Sequence, residues 1–112
     1  MKKYIVIYHS TVSSADQMKN MRPEDVQAEM AKWMKWATQC GSALVDMGAP
    51  LGASLSLASD GSSKLRTEHV VGYSILEAEN MDEAKKLLEN HPHFTSGECS
   101  IAIHEAMPLP GM

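Results

Sequence analysis

Lys3-Tyr4-Ile5-Val6-Ile7-Tyr8-His9 reads as a β-strand that is apolar on both sides, and the question of what covers those two sides decides the fold. Ile5 and Ile7 point one way, Val6 and Tyr8 the other, so both faces need cover. A second run of this kind is Val70-Val71-Gly72-Tyr73-Ser74-Ile75-Leu76. Between them Pro23 suits the first turn of a helix, with Glu24 and Asp25 at its positive end. Val26, Met30, Trp33, Ala37 and Cys40 then recur at helical spacing, and Gly41 suits the C′ position. A helix is expected over 23–40, with Trp33 at the centre of its sheet-facing stripe.

Moving outward, residues 10–22 are polar and read as a loop. Ala43 to Met47 reads as a short strand ended by Gly48 and Pro50. Alternation at Leu51, Ala53, Leu55 and Leu57, with the turn pair Asp60-Gly61, suggests a half-buried hairpin over 53–58 and 64–69. Asn80 with Glu83 three residues on starts a second helix, which Pro92 stops. Ser100 to Met107 is the last strand, and the tail with Pro108 and Pro110 cannot extend a ladder.

The order is βαββαβ, the split βαβ or ferredoxin-like plan: an α+β fold with an antiparallel sheet and two helices on one face. The helices cover one side only. The economical cover for the other is a second copy of the sheet, which makes the partner a C2 homodimer mate. The two helices are expected to run parallel, each following a strand of like direction.

The chain has 112 residues and a net charge of -4, which suits one domain over 1–112. Its overall field does not draw it to phosphate backbones or anionic membranes, so neither nucleic acid nor a membrane is an expected partner. No run approaches the ~20 apolar residues of a membrane span. The apolar start stops at Tyr8 without a cleavage site and reads as a strand rather than a leader. Cys40 and Cys99 are isolated and read as free thiols, which suits a cytoplasmic chain. Nine methionines scatter through the sequence in the manner of core gap-fillers.

Tyr4-Ile5-Val6-Ile7-Tyr8, Pro23-Glu24-Asp25, Gly48-Ala49-Pro50-Leu51, Val71 to Ala78, His91-Pro92-His93 and Glu105 to Pro110 together resemble the YCII-related proteins and their DGPF branch. The match spans nearly the whole chain. The resemblance implies a dimeric α+β barrel and, in the YCII branch, a proposed His–Asp active-site pair. The matching positions here hold Asp25 and His91, the two residue types exchanged. The DGPF motif is replaced by Ser63-Lys64-Leu65-Arg66-Thr67-Glu68.

The candidate catalytic pair is therefore His91 and Asp25, with Glu29 as a fallback carboxylate one turn along the helix. If they meet, the carboxylate raises the imidazole pKa. Parallel helices would set the pair at opposite ends of the protomer, whereas the resemblance sets it together. The competing reading of His91 is a cation at a helix C-terminus. Tyr8, His9, Glu29, Tyr73 and His93 are candidate substrate-binding residues. Gly72 before Tyr73 marks a bulge or a close approach. His91-x-His93 lacks the third ligand a metal site needs, and there is no phosphate loop or nucleophile elbow. Trp33 and Trp36 read as helix–sheet packing.

Two functions follow. One is a cofactor-independent enzyme of lyase or isomerase type, acting on a small organic, aromatic-class substrate by His/carboxylate acid–base chemistry. The other is a non-catalytic ligand-binding or regulatory homodimer. An open cleft with converging Asp25 and His91 favours the first, a filled cleft the second.

Overall fold

β1 (Lys2–Ser10) alternates between fully and half-buried residues along its length, as a central strand with one packed face must. The computed structural model describes residues 1–19, 21–65, 69–95 and 98–111. α1 (Ser14–Lys19), α2 (Pro23–Cys40), β2 (Leu44–Asp46), β3 (Leu55–Leu57), β4 (Ser63–Leu65), β5 (Val70–Ala78), α3 (Met81–Leu87) and β6 (Cys99–Ala106) follow. The main sheet has the order β2-β5-β1-β6 with every pair antiparallel, the ferredoxin-like arrangement expected from the sequence. β3 and β4 form a separate two-stranded ribbon. The molecule measures 49 × 40 × 20 Å. The shortest extent is that of one helix layer on one sheet, so among the described residues the sheet's second face carries no helix layer.

The packed face carries Tyr4, Val6 and Tyr8 of β1 with Leu76 and Ser74 of β5, all buried. Trp36, Cys40, Ala84 and Leu88 close over them from the helices. Trp36 also donates its indole N–H to the carbonyl of Leu87 at 2.8 Å, satisfying one of the acceptors a helix C-terminus leaves open. At the start of α3, Asn80 accepts the Glu83 N–H at 2.9 Å, as its capping pattern predicts.

Four expectations need correction. Residues 14–19 are a helix rather than a loop: Ser13 Oγ accepts the Asp16 N–H at 3.1 Å and starts the turn that a polar, single-methionine segment conceals. The helices α2 and α3 run in opposite directions, because the strands they follow, β1 and β5, are antiparallel. The last residue of α3, Leu87, lies against Trp36 and Cys40 near the end of α2. The first half of the α2 stripe is not core: Val26 and Met30 are 42% and 51% exposed. The hairpin is not half-buried either, since Leu55, Leu57 and Leu65 are 58%, 71% and 78% exposed on one side of it. Of the expected second hairpin strand, residues 66–68 lie outside the described residues.

Candidate functional site

Where the α2 stripe leaves the core, it overhangs a cleft of about 710 Å3. Val26, Met30 and Trp33 form its helical wall, Tyr8, Val71 and Gly72 its floor, and Met47 to Pro50 the opposite rim. Two glycines let that rim lie down. Gly48 has φ +82°, and a Cβ there would stand 1.7 Å from the Tyr73 carbonyl oxygen. A Cβ at Gly72 would press on the Ala49 carbonyl and the Tyr8 ring, both at 3.3 Å. Gly72 also lies at a register shift between β1 and β5, so both the bulge and the close approach are present, the approach being that of backbone.

A buried chain of hydrogen bonds runs under the floor. The His93 backbone N–H donates to His91 Nδ1 at 3.0 Å. Nδ1 is thereby an acceptor, and the proton of the neutral ring sits on Nε2. Nε2–H then donates to the Tyr8 hydroxyl oxygen at 3.1 Å. At the far end Ser74 donates to the Met47 carbonyl at 2.7 Å, so its oxygen accepts the Tyr8 hydroxyl proton, also at 2.7 Å. A backbone donor at one end and a backbone acceptor at the other fix the direction of every bond between them.

His91 is 1% exposed, with Trp33 and Trp36 edge-on at 4.6 and 4.3 Å. Burial, and secondarily His93, hold its pKa down to about 3. Its one available lone pair is already occupied. It is a neutral buried pin, not a helix-end cation. Burial likewise pushes Tyr8 up to about 12, against the opposing effect of its bond to Ser74.

Asp25 does not join His91. Its Oδ2 accepts from the backbone N–H and the Nε of Arg22, both at 3.3 Å, and so secures the start of α2. His91 instead packs on Trp33 and Trp36. These lie 8 and 11 positions further along α2, about 12–16 Å at 1.5 Å per residue. Glu29 does line the cleft, where its carboxylate pairs with Lys32 at 3.2 Å.

His93 lines the cleft and is held at three points. Its N–H is bound to His91, its carbonyl accepts from Cys99 Sγ at 3.1 Å, and its Nε2 donates to the His9 carbonyl at 2.8 Å. Tyr73 borders the cleft through its backbone, its carbonyl facing Gly48, while strand alternation turns its side chain to the face without a helix layer. His9 instead borders a separate groove of about 650 Å3, with His69, Glu98 and Cys99. Among the described residues no group of three or more His, Cys, Asp or Glu is placed to hold a metal ion.

Sequence reasoning missed Ser74 and the cleft roles of Gln17, Met21, Val26, Met30, Trp33 and Met47. An apolar residue facing a ligand has the same spacing as one facing the core, so periodicity carries no signal that separates them. Gly48, two residues before Pro50, is the available hint of a rim.

No protein-family model and no curated protein matches the chain. Among solved structures it is similar to 5-chloro-2-hydroxyhydroquinone dehydrochlorinase (TftG) from Burkholderia phenoliruptrix AC1100, in complex with 2,5-dihydroxybenzoquinone. The TM-score is 0.51 at 16% identity, over 94% of this chain and 93% of that one. This likeness shows the fold alone, an α+β chain with an antiparallel sheet. No helix among the described residues is long and apolar enough to cross a membrane.

Proposed function

We propose that this chain is a YCII-like homodimer that takes a small, ring-sized organic molecule into the cleft between α2 and the sheet and acts on it by cofactor-independent acid–base chemistry of lyase or isomerase type. The observation that carries this reading is the cleft itself: about 710 Å3, walled by Trp33, Tyr8 and methionines, with His93 fixed at its edge. Apolar walls with a few oriented polar groups are the usual form of a small-molecule site. The similar fold of a dehydrochlorinase that holds 2,5-dihydroxybenzoquinone supports a planar, hydroxylated six-membered ring as ligand.

The dimer rests on two surfaces. Ile5, Ile7 and Ile75 lie on the sheet face without helices, and a second sheet would bury them. The β3–β4 ribbon exposes three leucines, and an isolated two-stranded ribbon is marginal in water. Light scattering should give twice 12.3 kDa; a folded species at 12.3 kDa overturns this part.

A binding-only dimer is the second reading. What favours it is the engagement of Asp25 with Arg22 and of His91 with Tyr8, which leaves the sequence's catalytic pair apart. Calorimetric titration with monocyclic hydroxyaromatics, followed by product analysis of each ligand after incubation, separates the readings. Binding with turnover supports the enzyme, binding without turnover the second reading. Absence of binding, with the Trp33→Ala variant behaving like the parent protein, removes both.

A further inference from the structure

The polar side chains around the cleft share a property that follows from counting their protons. The Tyr8 hydroxyl proton is committed to Ser74. Gln17 spends its amide N–H groups on the Val12 carbonyl at 2.7 Å and Ser10 Oγ at 3.4 Å, which leaves only its oxygen to offer. Glu29 is a carboxylate and can only accept. His93 has committed Nε2–H to the His9 carbonyl, so in the neutral ring Nδ1 carries a lone pair. No described residue bonds to that atom. His93 is only 6% exposed, and both its backbone groups and its ring are anchored, so the lone pair is held in place rather than free to swing.

Resting on the small-molecule reading of the same cleft, we propose that the site selects a neutral hydroxyaromatic ring by its O–H donors, with His93 Nδ1 as the proton acceptor. The Trp33 indole N–H is a donor, but Tyr8, Gln17, Glu29 and His93 all offer lone pairs, so a carboxylate or phosphate ligand would meet acceptors with acceptors at each of these four. A hydroxyl gives each of them what it lacks. In the proton-transfer step the ligand O–H bond breaks, its electron pair stays on oxygen as a phenolate, and an N–H bond forms at Nδ1. The imidazolium so formed keeps its Nε2–H on the His9 carbonyl. His91 takes no part, because its Nδ1 already accepts the His93 N–H.

Nitrogen-15 NMR of the histidines tests this in two stages. In the ligand-free protein, His93 should show a protonated Nε2 and an unprotonated Nδ1. The opposite tautomer overturns the proposal without any ligand being added. Hydroquinone and 1,4-dimethoxybenzene are then compared: the same ring with and without donors. Hydroquinone should shift His93 Nδ1, leave both His91 nitrogens in place, and bind about tenfold more tightly than the ether, as one hydrogen bond lost from a buried acceptor requires. Equal binding of the two, or a response at His91 instead, overturns the proposal and leaves the cleft reading standing. If neither compound perturbs Trp33 or Met30, the cleft reading itself fails and takes this proposal with it. The ether comparison uses the unmodified protein, so it does not depend on the His93→Gln variant folding. If that variant does fold, its preference for hydroquinone over the ether should be smaller than the parent protein's; an unchanged preference counts against His93.

Discussion

Changing pH should expose His91 as a group that is kept neutral by the fold. In the unfolded chain its imidazole has the ordinary value of 6.5, and in the folded protein about 3. Above pH 6.5 neither state is charged and stability is fully present. As pH falls below that value the unfolded chain gains a proton that the folded chain refuses, so stability is lost continuously toward pH 3. Between pH 6.5 and about pH 5 the loss is ~1.5 units at 1.36 kcal/mol each, or about 2 kcal/mol. For a domain of this length that is about 8 °C in Tm. The control is His91→Gln, whose amide can accept from the His93 N–H and donate to Tyr8 but does not titrate. Urea unfolding of both proteins from about pH 7.5 to pH 5 cancels the other histidines in the difference. The parent protein should lose about 2 kcal/mol relative to the variant. Parallel loss in the two proteins would mean that His91 takes up its proton in the folded state as easily as out of it, and is not kept neutral by the fold.

Other substitutions probe the same architecture. Tyr8→Phe leaves the His91 Nε2–H buried without an acceptor and should cost about 1–3 kcal/mol in urea unfolding, whereas no change would mean that the chain of bonds is not formed. Trp36→Ala should cost about 3–5 kcal/mol, since the ring is buried and its N–H holds Leu87. Trp33→Ala should cost clearly less, because Trp33 is only half-buried at the cleft; the reverse ranking in thermal melts would misplace the cleft. Gly48→Ala drives a Cβ into the Tyr73 carbonyl and should both lower Tm and weaken ligand binding, and unchanged calorimetry would contradict the rim.

Much of this fold is legible in the residues because each signal has a single physical cause. Pro23 and the acidic first turn open α2, Gly41 at φ +57° closes it, and the helix covers the 23–40 that the pattern predicts. Two things were not legible. Helix direction depends on whether β1 and β5 pair parallel or antiparallel, which is a tertiary fact and not written in either strand. The catalytic candidates failed to converge for a similar reason. Asp25 fits the first turn of a helix as well as it fits a catalytic dyad, and it serves the capping role by accepting the Arg22 backbone N–H at 3.3 Å. His91 stands next to a proline after a helix, a position that suggests an exposed loop. Asn90 at φ +59° turns the chain there, and His91 enters the core between two tryptophans. The neighbouring His93, two residues on, reaches the cleft instead.

A small aromatic molecule between α2 and the sheet would lie against methionine methyls, which makes its binding directly measurable. Met21, Met30 and Met47 line the cleft, while Met34 and Met81 are exposed elsewhere. In a carbon-13 methyl-methionine spectrum titrated with hydroquinone, ring-current shifts are expected at Met21, Met30 and Met47 and none at Met34 or Met81. Shifts confined to Met34 and Met81, or spread evenly over all five methyls, would contradict binding in the cleft.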